Sequence, residues 1–165
     1  MQAREHLWTI LRIVSGGQTG ADRAALDWAI LHQIPHGGWC PKGRKAEDGT
    51  LDQRYQLEET PSADYAQRTA WNARDSDGTV IFSLAPYLTG GSQFTWQCAL
   101  DYKKPCLHIS QQNHHPHHSA RLLAFLQQHK IHVLNVAGPR ASTEPEIATF
   151  VTDILEQTYR AAKAD

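Results

Sequence analysis

The sequence predicts an α/β fold: a doubly wound, mostly parallel sheet of about five strands with helices on both faces. Three observations carry this reading. Short β-branched or apolar runs alternate with helical segments along the chain. Their connections are mostly short, as crossover units require. The last helix shows one clean apolar stripe, with Ile147, Phe150, Val151, Ile154 and Leu155 spaced for one face.

The elements follow in order. Residues 9–15 (TILRIVS) form a β-branched run that Gly16 and Gly17 end. Residues 21–32 form a helix that is apolar around most of its circumference, with Arg23 and Asp27 spaced to pair on its surface. Residues 35–60 are rich in Gly, Pro and charge, and predict a long loop with one short strand of the sheet near Trp39. Residues 62–74 predict a helix with Ser62 as N-cap. Residues 78–84 (GTVIFSL) are the best buried strand. A turn over 86–91, a helix over 92–102 and a strand over 106–110 follow. Residues 111–118 predict a polar loop, 119–129 a helix, 131–137 a strand and 138–142 a further loop. Thr143-x-x-Glu146 reads as a capping box for the last helix.

Composition narrows the function classes. The chain has 165 residues, which suits one domain over 1–165 with a core at 9–160. Sixteen Lys and Arg against seventeen Asp and Glu give a net charge of −1, which argues against a nucleic-acid partner held by bulk positive charge. Apolar residues at 41% and charged residues at 20% exclude disorder over most of the chain. Three cysteines, Cys40, Cys98 and Cys106, form no CxxC pair, which argues against a disulfide framework or a structural zinc. No apolar run approaches the roughly 18 residues of a membrane helix, and residues 1–6 lack the pattern of a secretory signal. The expectation is a cytoplasmic protein with no membrane partner.

Three loops follow predicted strands and open predicted helices: SGGQTGAD at 15–22, TGGSQFT at 89–95 and VAGPRAS at 136–142. A parallel sheet brings such loops to one edge, where ligands bind. Glycine lets backbone approach a ligand closely. The first amides of a helix lack intrahelical acceptors and carry partial positive charge, so they suit a phosphate. The candidate binding residues are Gly16, Gly17, Gln18, Thr19 and Gly20 in the first loop. In the second they are Thr89, Gly90, Gly91, Ser92 and Thr95, and in the third Gly138, Arg140 and Ser142. The first loop is neither a Walker A sequence, because no Lys-Ser/Thr follows Gly20, nor a GxGxxG fingerprint.

These segments together resemble a known family. SGGQTGADRAALDWA, GWCPKGRKAEDG, ADYAQRT, SDGTVIF, LTGGS and NVAGPR stand in the order found in the molybdenum carrier family, a circularly permuted YpsA-type branch of the SLOG superfamily. The likeness runs from about Arg12 to Tyr159. It implies a Rossmann-like fold and a non-enzymatic role: binding, storing or transferring molybdenum cofactor, the molybdopterin that carries a phosphate and a dithiolene-held metal. It further implies a homo-oligomer, with molybdoenzymes as recipients. Other SLOG branches bind nucleotides, and some hydrolyse the N-glycosidic bond of a nucleotide. That is the alternative function here.

The residues accommodate either ligand. A phosphate suits the first two glycine loops, and Lys42, Arg44 and Arg140 can offset remaining negative charge. Trp39 or Phe94 can cover a flat ring, or else belong to the core. Lys42 and Arg44 are otherwise solvated loop charges. Cys40, beside Lys42 and Arg44, is either a thiol of lowered pKa or a small buried filler. Cys98 and Cys106 read as core. Arg68, Thr69 and Asn72 share a helix face and either support the pocket or make surface contacts. The histidines at 114, 115, 117 and 118 form a loop tract that can capture a metal adventitiously. The hydrolases of the superfamily carry a Glu after a PGGxGT turn, whereas Gln97 stands nearest here. This departure speaks against hydrolysis, with Asp22, Glu47 and Glu144 the acids able to enter from elsewhere. On this reading Gly17→Val and Thr95→Val abolish binding and leave the fold intact.

Overall fold

The structure is a computed structural model that describes residues 7–113 and 117–164. His114 and His115 of the histidine tract lie outside the described residues. The elements are β1 (Arg12–Val14), α1 (Ala21–Leu31), β2 (His36–Gly37), β3 (Trp39–Cys40), β4 (Lys45–Ala46), β5 (Gly49–Thr50), β6 (Glu58–Glu59) and α2 (Tyr65–Arg74). They continue with β7 (Gly78–Ser83), α3 (Gly90–Asp101), β8 (Cys106–Ser110), α4 (His118–Gln128), β9 (Val133–Ala137) and α5 (Ile147–Lys163).

The architecture is α/β and Rossmann-like. Five parallel strands form the central sheet in the order β2-β1-β9-β7-β8. Counting these strands from β9 instead of β1 turns the order into 3-2-1-4-5, the doubly wound arrangement that reverses beside its first strand. The reversal falls between β9 and β7. One face of the sheet, through Ile13, Val80, Phe82, Leu134 and Val136, packs on α1, α4 and α5. The alternate residues Thr79 and Asn135 point to the face that carries the α2–α3 pair. There the Asn135 side-chain amide donates to Thr79 Oγ1 at 3.2 Å. Among the described residues no helix is long and apolar enough to cross a membrane.

Several local expectations need correction. The edge strand of the sheet is His36–Gly37, not the segment at Trp39. Gly38, at φ +119°, turns the chain between them, so Trp39–Cys40 leaves the sheet and pairs with Glu58–Glu59. The long irregular stretch is therefore organised: a β4–β5 hairpin and the β3–β6 pair surround a second core of Leu26, Cys40, Ala46, Leu51, Tyr55 and Leu57. The capping box at Thr143–Glu146 does not form; α5 begins at Ile147, and Glu146 occupies its N-cap without a side-chain bond. The N-cap of α2 is Asp64, and Ser62 Oγ instead accepts the Asp64 amide. Arg23 and Asp27 do not pair: Arg23 reaches Asp48, and Asp27 accepts the Tyr55 hydroxyl.

Candidate functional site

A cleft of about 690 Å³ opens at the carboxyl ends of β7 and β9, where the strand order reverses. Loops from both strands, the first glycine loop, α2 and α3 all contribute walls. Of the residues proposed from sequence, Gly16, Gln18, Thr89, Gly90, Gly91, Ser92, Thr95, Gly138, Arg140 and Ser142 line it. Gly17, Thr19, Gly20, Lys42 and Arg44 do not.

The first loop behaves differently from its sequence expectation. Its amides bond within the protein: Gly17 to Ser15 Oγ (3.3 Å), Gln18 to Asp22 Oδ2 (3.3 Å) and Thr19 to Gln18 Oε1 (3.0 Å). Ala21 N donates to Pro139 O at 3.2 Å. A short polar loop closed by its own Ser, Gln and Asp side chains satisfies its donors locally. What this loop offers the cleft is side chains. Gly17 faces Leu51 and Leu57 of the second core, and Gly20, at φ +82°, lies where a Cβ would stand 2.5 Å from Pro139 O.

The second loop opens α3 on the cleft. Thr89 is the N-cap of α3 and makes no side-chain cap bond, and Gly90, Gly91 and Ser92 of the first turn line the cleft. A Cβ on Gly90 or Gly91 would meet nothing within 4 Å. Ser92 and Thr95 are buried behind them, and Thr95 Oγ1 donates to Gly91 O at 2.9 Å. In the third loop, Gly138 packs where a Cβ would lie 2.6 Å from both Ala21 Cβ and Phe82 O, which brings the loop against β7.

Cationic side chains gather around one ring. The guanidinium carbons of Arg68 and Arg140 each stand 5.2 Å from the Tyr65 ring centre, and Lys45 Nζ stands 4.6 Å from it. Arg68 is buried and pairs with Asp22, Nη1 to Oδ2 at 3.2 Å. Its Nε, like Gln18 Nε2, makes no hydrogen bond. Burial pushes the Asp22 carboxyl up against the pull of Arg68. Arg68, Thr69 and Asn72 all line the cleft. Asn72 also clips Trp39, accepting its amide at 2.8 Å and donating to its carbonyl at 2.9 Å.

Other candidates sit elsewhere. The Arg44 guanidinium donates to Tyr55 O (2.7 Å), Asp52 O (2.9 Å), Leu57 O (3.3 Å) and Leu51 O (3.5 Å), a structural clamp on the hairpin base. Lys42 is exposed outside the cleft. Trp39 stacks edge-on against Trp71 and donates to Asp75 at 2.8 Å, away from the cleft. Phe94 does line it and is 41% exposed, and Tyr87 beside it is 80% exposed. Cys40 is fully buried, and burial raises its pKa over the lowering effect of Arg44, opposite to a reactive thiol.

Two acids lie in or beside the cleft. Glu144 lines the cleft, but its oxygens accept the Leu84 amide at 2.6 Å and the Ala85 amide at 3.4 Å. Glu47, at the turn of the β4–β5 hairpin, accepts from the Thr19 hydroxyl and from Ser142 Oγ and N. These bonds hold its carboxyl below the usual range. Among the described residues no group of three or more His, Cys, Asp or Glu converges as metal ligands. Sequence reasoning missed Tyr65, Tyr87 and Asn135 as lining residues. Asn135, an amide inside the apolar run IHVLNVA, was the visible signal.

Comparison with known proteins agrees with this fold. The Circularly permutated YpsA SLOG family matches residues 13–159. A crystal structure at 1.45 Å of a "Putative molybdenum carrier protein" from Syntrophus aciditrophicus SB is 52% identical. The match covers 91% of this chain and 95% of that one, with a TM-score of 0.87. No curated protein matches.

Proposed function

Because the chain belongs to the circularly permutated YpsA SLOG family, we propose that its cleft binds a small molecule bearing a phosphate and a flat ring, namely molybdenum cofactor, and stores or hands it on without chemistry. One observation carries this reading. The open N-terminus of α3 and the guanidinium groups of Arg68 and Arg140 converge on one cleft, beside the exposed rings of Tyr87 and Phe94.

In this reading the amides at Gly90, Gly91 and Ser92, with Thr95 behind them, supply donors toward the ligand's anionic end. Arg68 and Arg140 offset further negative charge. Phe94 and Tyr87 cover the ring, whose polar edge meets Gln18 and Asn135. The molybdenum stays on the cofactor's own dithiolene. A binding role also suits the acids: Glu144 is engaged by two backbone amides and Asp22 by Arg68. Neither is poised as a free general acid or base. The name of the crystallised relative points the same way.

The test is protection. Purified protein is mixed with molybdopterin at equal concentration and oxidative decay is followed. Slower decay than free cofactor is expected, and equal decay overturns the reading. A nucleotide panel in thermal-shift format runs alongside. Stabilisation by AMP-like ligands, without protection of the pterin, moves the assignment to the nucleotide-binding branch.

A further inference from the structure

We propose that Glu47 is a built-in placeholder: its carboxylate fills an oxyanion site made by Thr19, Ser142 and Arg140, and the ligand's phosphate-type group displaces it on binding. This rests on the binding reading above and adds a gate to it. Three of its donors are close. The Thr19 hydroxyl and Ser142 Oγ (2.6 Å) donate to Glu47, and so does Ser142 N, at 3.1 Å. Arg140 Nη1 stands 4.0 Å away. Thr19 Oγ1 also accepts the Ala141 amide at 3.1 Å, so its proton is committed toward the carboxylate. Two hydroxyls, one amide and one guanidinium, contributed by two different loops, form a donors-only set. Such a set serves a tetrahedral oxyanion as readily as a carboxylate.

The site borders the cleft, because Arg140 and Ser142 line it. A ligand in the cleft therefore meets donors that the chain already occupies. Glu47 is not needed to join the two loops: Ala21 N to Pro139 O and Ala141 N to Thr19 Oγ1 do so without it. The hairpin that carries Glu47 is itself held in place. Arg44 clamps its base, Arg23 pairs with Asp48, and Glu47 N donates to Gln18 Oε1 at 2.8 Å. Release then needs only rotation of the Glu47 side chain, which is 21% exposed. A closed majority state lowers apparent affinity by the fraction that is open.

The experiment compares wild type, Glu47→Gln and Glu47→Ala by calorimetric titration with molybdopterin and, separately, with inorganic phosphate. Both variants are expected to bind molybdopterin about tenfold more tightly, as removal of a closed state populated about nine parts in ten would give. Adding Arg140→Ala to Glu47→Gln should cancel the gain. A gain with inorganic phosphate as well assigns the site to the phosphate group alone. A gain with molybdopterin only assigns it to the esterified ligand. Unchanged or weaker binding by both variants, each shown to be folded by a cooperative melting transition, makes Glu47 a plain latch and overturns the proposal. If wild type binds and the variants show no gain, the carrier reading stands without the gate. If no protein binds molybdopterin, both fall.

Discussion

Arg68 on α2 and Asp22 in the first turn of α1 form a buried ion pair, 3.2 Å apart, between residues 46 positions distant in sequence. Gly16 makes room for it: a Cβ there would stand 2.0 Å from Arg68 Nη1. The pair thus links two helices and a glycine loop while presenting a cation to the cleft.

Removing one partner should be severe. Arg68→Met leaves Asp22 buried and unpaired, and is expected to lower stability by about 3–5 kcal/mol. The double variant Arg68→Met/Asp22→Leu should recover a large part of that loss. Urea denaturation of wild type, Arg68→Met, Asp22→Leu and the double variant measures the coupling. A loss below about 1 kcal/mol for Arg68→Met would show that the pair carries no structural role.

Glycines around the cleft should respond in opposite ways. Gly20→Ala forces a side chain to φ +82° and against Pro139 O, and should cost on the order of 1–3 kcal/mol for the backbone alone. Gly91→Ala adds a methyl group to a helical position in open space, and should be neutral or stabilise by about 0.5–1 kcal/mol. The melting temperatures of the two variants decide this. The same logic revises Gly17→Val. Its Cβ would lie 2.7 Å from Leu51 and 2.8 Å from Leu57, so the substitution damages the second core and does not isolate ligand binding.

Arg140 offers a cleaner binding test. Its side chain is 40% exposed and makes one long ion pair, so Arg140→Ala should leave the melting temperature nearly unchanged. Loss of a charge-assisted contact should weaken molybdopterin binding about tenfold or more. Titration of the cofactor into the variant reads the effect.

Stability should depend on Glu47 in a defined pH window. Its folded-state pKa lies below the ordinary 4.5, chiefly through hydrogen bonds from Ser142 and Thr19. The contribution is therefore fully present above that value and is lost as pH falls through the folded pKa. The melting-temperature gap between wild type and Glu47→Gln should be constant at neutral pH and close on acidification below about 4.5. A gap that persists through pH 3 would contradict the assignment.

The thiols should be silent in the folded protein. Cys40 and Cys98 are buried, and burial pushes Cys106 up to about 12. A thiol reagent at neutral pH should react with none of the three at an appreciable rate until denaturant is added.

Much of the fold was legible because its signals are local. Residues 106–110 and the apolar stripe of the last helix announce themselves by composition and period alone. The three strand-to-helix loops were legible for the same reason, and the parallel topology brings them to one rim. What stayed hidden depends on partners far along the chain. Arg23 has Asp27 at helical spacing yet reaches Asp48, 25 residues away on a hairpin. Gly38 turns the chain out of the sheet where Ser15 and Asn72 leave no room for a Cβ, which no local pattern reveals. Glu144 leaves the expected cap region to satisfy two amides at the end of β7. Within the site, glycine announced a close-packed loop correctly. It could not say whether the loop would leave open space beside the cleft, as at Gly90, or have its amide bonded internally, as at Gly17.

The placement of β9 has a consequence for how the molecule is made. The pairs β2–β1 and β7–β8 touch in the sheet only through β9, which is the last of its strands to be synthesised. Until residues 133–137 are in place, the two parallel strand pairs have exposed inner edges and are linked through the α2–α3 packing on one face, not through the sheet. Completion of the sheet is thus a late insertion of one strand between two waiting pairs, a long-range pairing of the kind that slows folding.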